Sequence, residues 1–280
     1  MTKKYAAVYK PLIERLQAET EQKYKKKPDS AKAAKAKLHQ LYGAYTQDNA
    51  HKKADAIIST LEETRQNIDY NSIAALLPLH ASTKERLPHY AKFYEFILFH
   101  TGPVESVLDI GCGYNPFSIP YMQAVCAGHF QENQPATEIC KNAPPAVNLK
   151  AYHAYDIDTR VANLINRFFA CLRLPPLAKC ADLAVHIPQD EADIALMCKL
   201  IPVLEAQAPG SGFKLARELN TRHLLITYPL KSLGGREKGM AKHYAATFEN
   251  ALADGQLGKF SLVAQAQIGD EMLYLLSVDI

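Results

Sequence analysis

The sequence predicts an α/β fold, a mostly parallel sheet with helices on both faces, behind an all-helical N-terminal region. Three observations predict it. The texture changes near residues 80–90 from helical pattern to alternating strands and helices. The short apolar run Val107–Ile110 is delivered into the turn Gly111-Cys112-Gly113. Five further strand-like runs follow, with helical stretches between the earlier ones.

Up to about residue 65, Ala, Lys, Gln and Glu dominate, all good helix formers. Pro28-Asp29-Ser30 interrupts them, and Ser30 suits a helix N-cap. Beyond it, lysines interleave with alanines up to Leu38-His39-Gln40-Leu41-Tyr42, an amphipathic helix with a basic side. Residues 52–77 read as two helices, the second stopped by Pro78, and residues 89–100 as an aromatic-rich helix. Strands are expected at Val107–Ile110, Leu149–Tyr155, Asp193–Met197, His223–Tyr228, Leu262–Gln267 and Met272–Val278, and helices near 117–125, 159–173 and 210–219. Only Ile268-Gly269-Asp270-Glu271 separates the last two strands, which reads as an antiparallel hairpin. Residues 126–147, rich in Gln, Asn, Pro and Gly, read as an inserted loop. The expected division is a basic helical domain over 1–85 and a catalytic domain over 86–280.

Charge divides along the same line. Residues 1–55 carry 13 Lys and Arg against 6 Asp and Glu, a net of +7, and the remainder nets −4. Such an arm suits an anionic partner, nucleic acid or a membrane surface, although a solvated lysine-rich helix fits the charge equally well. The six cysteines (112, 126, 140, 171, 180 and 198) form no C-x-x-C pair and no zinc spacing, which suits reduced thiols in a cytoplasmic protein. The start is not that of a signal peptide, and no apolar run approaches the ~18 residues that span a bilayer.

The chemistry rests on three signals in order. Val107-Leu108-Asp109-Ile110-Gly111-Cys112-Gly113 brings a buried strand to a glycine turn at the sheet's carboxyl edge, where open α/β sheets bind ligands. Pro116 breaks the spacing of a dinucleotide fingerprint, and a strand followed by Asp-x-Gly-x-Gly is the form S-adenosylmethionine sites use. Asp156, 43 residues after Gly113, stands where an acidic residue accepts from ribose hydroxyls, or alternatively caps the helix near Thr159. Asp182-Leu183 suits the adenine amine and ring. There is no Gly-x-x-x-x-Gly-Lys-Ser/Thr, no Gly-x-Ser-x-Gly and no His-Glu-x-x-His, which argues against P-loop, serine-hydrolase and zincin chemistry.

Longer strings then carry a resemblance. They are Leu38–Tyr45, Leu79-His80-Ala81-Ser82-Thr83-Lys84-Glu85-Arg86-Leu87-Pro88, Met197–Glu205 and Tyr228–Met240, with Tyr244 and Phe248-Glu249 behind. From about residue 35 to its end the chain resembles the aminoglycoside-resistance 16S rRNA methyltransferases that act on N7 of the guanine at rRNA position 1405. The resemblance implies a Rossmann-like class I methyltransferase with S-adenosyl-L-methionine as cofactor and the 30S subunit as partner, the basic helical domain docking on it. It implies that His80, Ala81, Ser82 and Arg86 close over the cofactor, Arg86 facing its carboxylate, as a guanidinium does bidentately. By the same resemblance, Gly111 is expected against the methionine moiety, Asp156 on the ribose, Asp182 and Leu183 on the adenine, and Cys198 and Gln207 in the pocket wall. Lys199, Glu205 and Arg236 match positions for target recognition or methyl transfer. The chain departs from the family in its long 126–147 segment and in Gly111, where Ala is frequent.

Guanine N7 has an in-plane lone pair and no proton, so the expected chemistry is positioning of an extruded base, without a general base. Positive charge passes to the guanine, so Glu205 is expected to stabilise it and Lys199 to contact O6 or a phosphate, unless Glu205 caps a helix and Lys199 pairs with a carboxylate. Lys25, Lys26, Lys27, Lys32, Lys35 and Lys37 are the expected rRNA contacts, and a monomer is the default.

Overall fold

The computed structural model describes residues 5–24, 27–43, 49–64, 70–127, 149–231 and 239–278. The expected inserted loop at 126–147 falls almost wholly outside them. Helices α1 (Lys10–Lys23) and α2 (Lys27–Leu38) lead into a π-turn at His39–Gly43, then α3 (Ala50–Glu63), α4 (Tyr70–Leu76), α5 (Ala81–Arg86) and α6 (Tyr90–Thr101). The catalytic half holds β1 (Ser106–Ile110), α7 (Ile119–Cys126), β2 (Ala151–Asp156), α8 (Thr159–Cys171), β3 (Ala178–Cys180), β4 (Ala192–Cys198), α9 (Ile201–Gln207), α10 (Ser211–Glu218), β5 (Thr221–Pro229), α11 (Met240–Ala253), β6 (Phe260–Ile268) and β7 (Glu271–Val278).

The strands form one sheet in the order β3-β2-β1-β4-β5-β7-β6. The first five run parallel, while β7 is antiparallel to both β5 and β6. All six expected strands are present. In the catalytic half strand β3 is an addition, as are α9 and α11. The central strands separate two apolar layers by the two-residue period of a pleated sheet. Val107, Ile194, Leu196 and Leu225 face one layer with α6, α7 and α8. Leu108, Ile110, Ala195, Met197 and Leu224 face the other, with α9, α10 and α11. Parallel strands buried on both faces read as continuous apolar runs, as Val107–Ile110 nearly does.

The helical region splits in two. Ala54, Ile58 and Leu61 of α3 and Ile73 and Leu76 of α4 join the first layer of the sheet's core. Tyr5, Val8, Leu12, Leu16, Leu38, Leu41 and Tyr42 form a separate apolar cluster that reaches Ile157 and Val203. The chain at Val8 bridges to Asp158, and Tyr9 N–H donates to Ile157 O at 2.7 Å. This lays α1 across the carboxyl edge of the sheet. Among the described residues no helix is long and apolar enough to cross a membrane.

Candidate functional site

The turn after β1 is fixed by its backbone. The N–H groups of Gly111 and Cys112 both donate to Tyr155 O at 2.9 Å, and Gly113 N–H donates to the Asp156 carboxylate at 2.9 Å. Gly111 and Gly113 have φ of +70° and +51°. That region is strained for residues with a Cβ. A Cβ on Gly111 would stand 2.7 Å from Leu200 Cδ1, and one on Gly113 would stand 2.8 Å from the His80 ring.

A cleft opens beside this turn at the carboxyl edge of the sheet. Its wall includes His80, Ser82 and Arg86 from α5 and the residue before it, and Gly111 from the turn. Asp156 ends β2, Asp182 and Leu183 follow β3, Cys198 ends β4, and Lys199 and Gln207 follow it. Nine of the ten expected cofactor residues therefore line one space. The tenth, Ala81, opens α5 without lining it. Asp156 is not the cap of α8. Asp158 takes that place, accepting from Arg160 N–H at 2.8 Å.

Beneath the cleft lies a buried polar network. Arg86 donates to both oxygens of Glu271, at 3.1 and 2.8 Å, and to Asn115 Oδ1 at 3.0 Å. Burial works against the Glu271 charge, but Arg86 and Lys199 hold its carboxyl below the usual range. Asn115 and Tyr152 donate to Asp109 Oδ2 at 2.8 and 2.7 Å, while Asp109 Oδ1 has no hydrogen-bond partner among the described residues. Burial pushes Asp109 up to about 6. Burial likewise raises the Cys198 thiol to about 12, so it lines the cleft as a thiol rather than a nucleophilic thiolate. Desolvation, with the Arg86 cation adding, lowers His80 to about 4, and its neutral ring stacks on Tyr114.

The expected target-contacting residues fall in three different places. Lys199 lies in the cleft wall with φ of +57°, a conformation costly for a residue with a side chain. Its ammonium donates to Glu85 at 2.5 Å and stands 3.2 Å from Glu271. Glu205 is outside the cleft lining. Its carboxylate accepts from Gly210 N–H at 2.6 Å and Gly212 N–H at 2.9 Å, so it caps the first turn of α10. Arg236 lies outside the described residues, as do Lys25, Lys26 and the side chain of Lys27. Lys32 and Lys35 are exposed on α2, and Lys37 donates to Glu19 at 2.9 Å.

Two predictions arise here. Glu205→Ala is expected to cost about 1 kcal/mol, as loss of an N-terminal cap does, with turnover per folded molecule retained. Thermal melting beside a methyl-transfer assay checks this, and lost turnover with unchanged melting would restore a role in the reaction to Glu205. Asp156 is pushed up to about 6, first by burial and then by the Asp158 charge. A raised pKa leaves the group protonated below about pH 6, where it can no longer accept from two donors, as its expected place on the ribose hydroxyls requires. Affinity for S-adenosylhomocysteine is therefore expected to be level above pH 7 and to fall by up to tenfold per unit below about pH 6. Titration calorimetry from pH 5 to 8 checks it, and an unchanged profile in Asp156→Asn would remove Asp156 as the cause.

Sequence reading missed several residues of this site. Leu12, Leu41 and Tyr42 from the N-terminal helices line the cleft, as does Asn115. Glu271 completes the ion pair of Arg86 from 185 residues away. The Asn115-Pro116 string was the available signal for Asn115, while nothing local marks Glu271.

A parallel five-stranded run closed by an antiparallel pair in this order, with a glycine turn after β1 and acidic residues after β2 and β3, defines a class I methyltransferase. The sequence profile of the family described as "Ribosomal RNA methyltransferase (FmrO)" matches residues 1–139 and 145–275, and the chain belongs to that family. It is 31% identical to a 16S rRNA (guanine(1405)-N(7))-methyltransferase of Proteus mirabilis, over 98% of this chain and 92% of that one. It is 30% identical to the protein of the same name from Serratia marcescens, over 98% and 94%. Among solved structures, the 16S rRNA methyltransferase RmtF in complex with S-adenosyl-L-homocysteine superposes with a TM-score of 0.76 at 31% identity, covering 98% of this chain and 93% of that one.

Proposed function

We propose that the chain methylates N7 of guanine 1405 in 16S rRNA of the assembled 30S subunit, with S-adenosyl-L-methionine as donor, and so confers aminoglycoside resistance in the cytoplasm. The observation that carries this reading is the convergence of nine expected cofactor residues on one cleft, in a chain whose relatives bear that name over nearly their full length.

The cleft suits such a cofactor chemically. Glycine at 111 and 113 lets the turn pack directly against Leu200 and the His80 ring, both part of the cleft wall. Asp156 would hold the ribose hydroxyls, Asp182 the exocyclic amine and Leu183 the ring face. Arg86, already fixed by Glu271 and Asn115, would present its guanidinium to a carboxylate. When bound, the sulfonium cofactor supplies an electrophilic methyl group.

The target's N7 lone pair needs no proton removed, so the protein's part is orientation and exclusion of water. Lys199, held by Glu85 and Glu271 at the cleft wall, would contact O6 or a phosphate of the target nucleotide. Residues 1–85 would dock on the subunit, with the exposed Lys32 and Lys35 on phosphates. Residues 86–280 would carry the cofactor, with His80 and Ser82 closing over it from just before that segment. The test is transfer of labelled methyl from S-adenosylmethionine to 30S subunits, naked 16S rRNA and a small-molecule panel, with the modified base mapped. Label at N7 of guanine 1405 on 30S alone is expected, in a salt-sensitive reaction. Label at another base, or none, would overturn the site specificity.

A further inference from the structure

The adenine end of the cleft is tied to the basic helices by a chain of charges that alternates in sign. Arg15 of α1 lays its guanidinium fork on Asp182, Nε to Oδ2 at 2.6 Å and Nη2 to Oδ1 at 3.0 Å, and also donates to Gln207 Oε1 at 3.1 Å. Behind it, Arg15 Nη1 donates to Glu19 Oε1 at 2.5 Å. The other oxygen of Glu19 accepts from Lys37 Nζ at 2.9 Å. The two outer links are the more exposed, 37% for Glu19 and 35% for Lys37 against 5% for the Asp182 side chain and 17% for Arg15. A buried carboxylate at one end thus connects through two shared ions to a half-exposed ammonium on the basic face.

Each shared ion divides its attraction between two partners. A fork on both oxygens of Asp182 competes with any further donor, including an exocyclic amine. A phosphate that draws Lys37 away leaves Glu19 to Arg15 alone. Arg15 then shifts its balance from Asp182 toward Glu19, and Asp182 becomes a better acceptor. We propose that Lys37, Glu19, Arg15 and Asp182 form an ion-pair relay through which an RNA phosphate taken by Lys37 frees Asp182 for the cofactor's adenine, so that docking tightens cofactor binding. This rests on the cleft being the S-adenosylmethionine site. Linkage makes the effect reciprocal, so bound cofactor also strengthens docking.

The test is calorimetric titration of the full-length protein with S-adenosylhomocysteine, without RNA and at low salt. Lys37→Ala, which imitates removal of the ammonium by a phosphate, is expected to bind about fivefold tighter than the unmodified chain. Arg15→Gln is expected to tighten binding similarly, and the double variant to match Arg15→Gln alone. Glu19→Gln leaves Arg15 wholly to Asp182 and is expected to weaken binding about fivefold. This reversal of sign along one chain of contacts is what general loss of structure does not produce, and thermal melting of each variant checks the fold. Unchanged affinity in Lys37→Ala, or weaker binding in Arg15→Gln, would overturn the relay while leaving the cofactor site in place. No binding by the unmodified protein would overturn the cofactor site, and the relay with it.

Discussion

Arg86→Ala is expected to be the most damaging single change in the cleft, lowering stability by about 3–5 kcal/mol and abolishing measurable cofactor binding. Arg86 is 3% exposed and Glu271 4%. Removing the guanidinium leaves Glu271 as a buried carboxylate served by Thr227 and Lys199, and strips Asn115 of a donor. Asn115 in turn holds Asp109 beneath the glycine turn. The cost is therefore mainly that of an orphaned charge, so it separates from function in a second variant. Arg86→Met combined with Glu271→Leu removes both charges and is expected to recover part of the lost stability, as apolar replacements of buried pairs do, without recovering cofactor affinity. Chemical denaturation and titration calorimetry on the two variants check this. Recovery of affinity in the double variant would show that Arg86 acts on the fold alone.

Gly113→Ala is expected to give the opposite signature, a nearly intact fold with cofactor affinity reduced by about ten- to a hundredfold. A left-handed φ costs an alanine about 1–2 kcal/mol. The new methyl group would press on a His80 ring already stacked on Tyr114, so His80 cannot simply swing aside. Relief must come from the turn itself. That moves the Gly113 N–H that anchors the Asp156 carboxylate, the acceptor proposed for the ribose. Melting should shift by only a few degrees while binding collapses. Binding at full strength would mean that the cleft does not use this turn.

What the sequence made legible follows from the range of each interaction. Strand β1 and its glycine turn could be read because burial on both faces and the left-handed corner are both written in adjacent residues. The closing hairpin was legible from two apolar runs four residues apart. Strand β3 was not, since Ala178-Lys179-Cys180 is too short to show a period and is held by pairing to β2. Asp156 was legible as the end of a strand and Asp182 only by its place in the order of signals, whereas Cys198 was marked by the family resemblance alone. The partners that fix those residues were not legible, because Arg15 and Asp182 are 167 positions apart and Arg86 and Glu271 185. Glu205 shows the limit in another way. A carboxylate after β4 suits a reacting site and a helix cap alike, and only the fold brings the Gly210 and Gly212 amides that it caps.

The division of the helical region between two apolar clusters sets how far the chain can be shortened. Leu12, Leu16, Leu38, Leu41 and Tyr42 bury themselves largely against one another, whereas Ala54, Ile58, Leu61, Ile73 and Leu76 are part of the layer that covers the sheet. A chain begun at residue 49 keeps that layer and is expected to remain folded, with one wall of its cleft removed. A chain begun at residue 86 bares the layer, and is expected to aggregate and to bind a hydrophobic dye. Equal dye binding by the two would contradict this. Modularity in this protein therefore ends within the helices, well before the first strand begins.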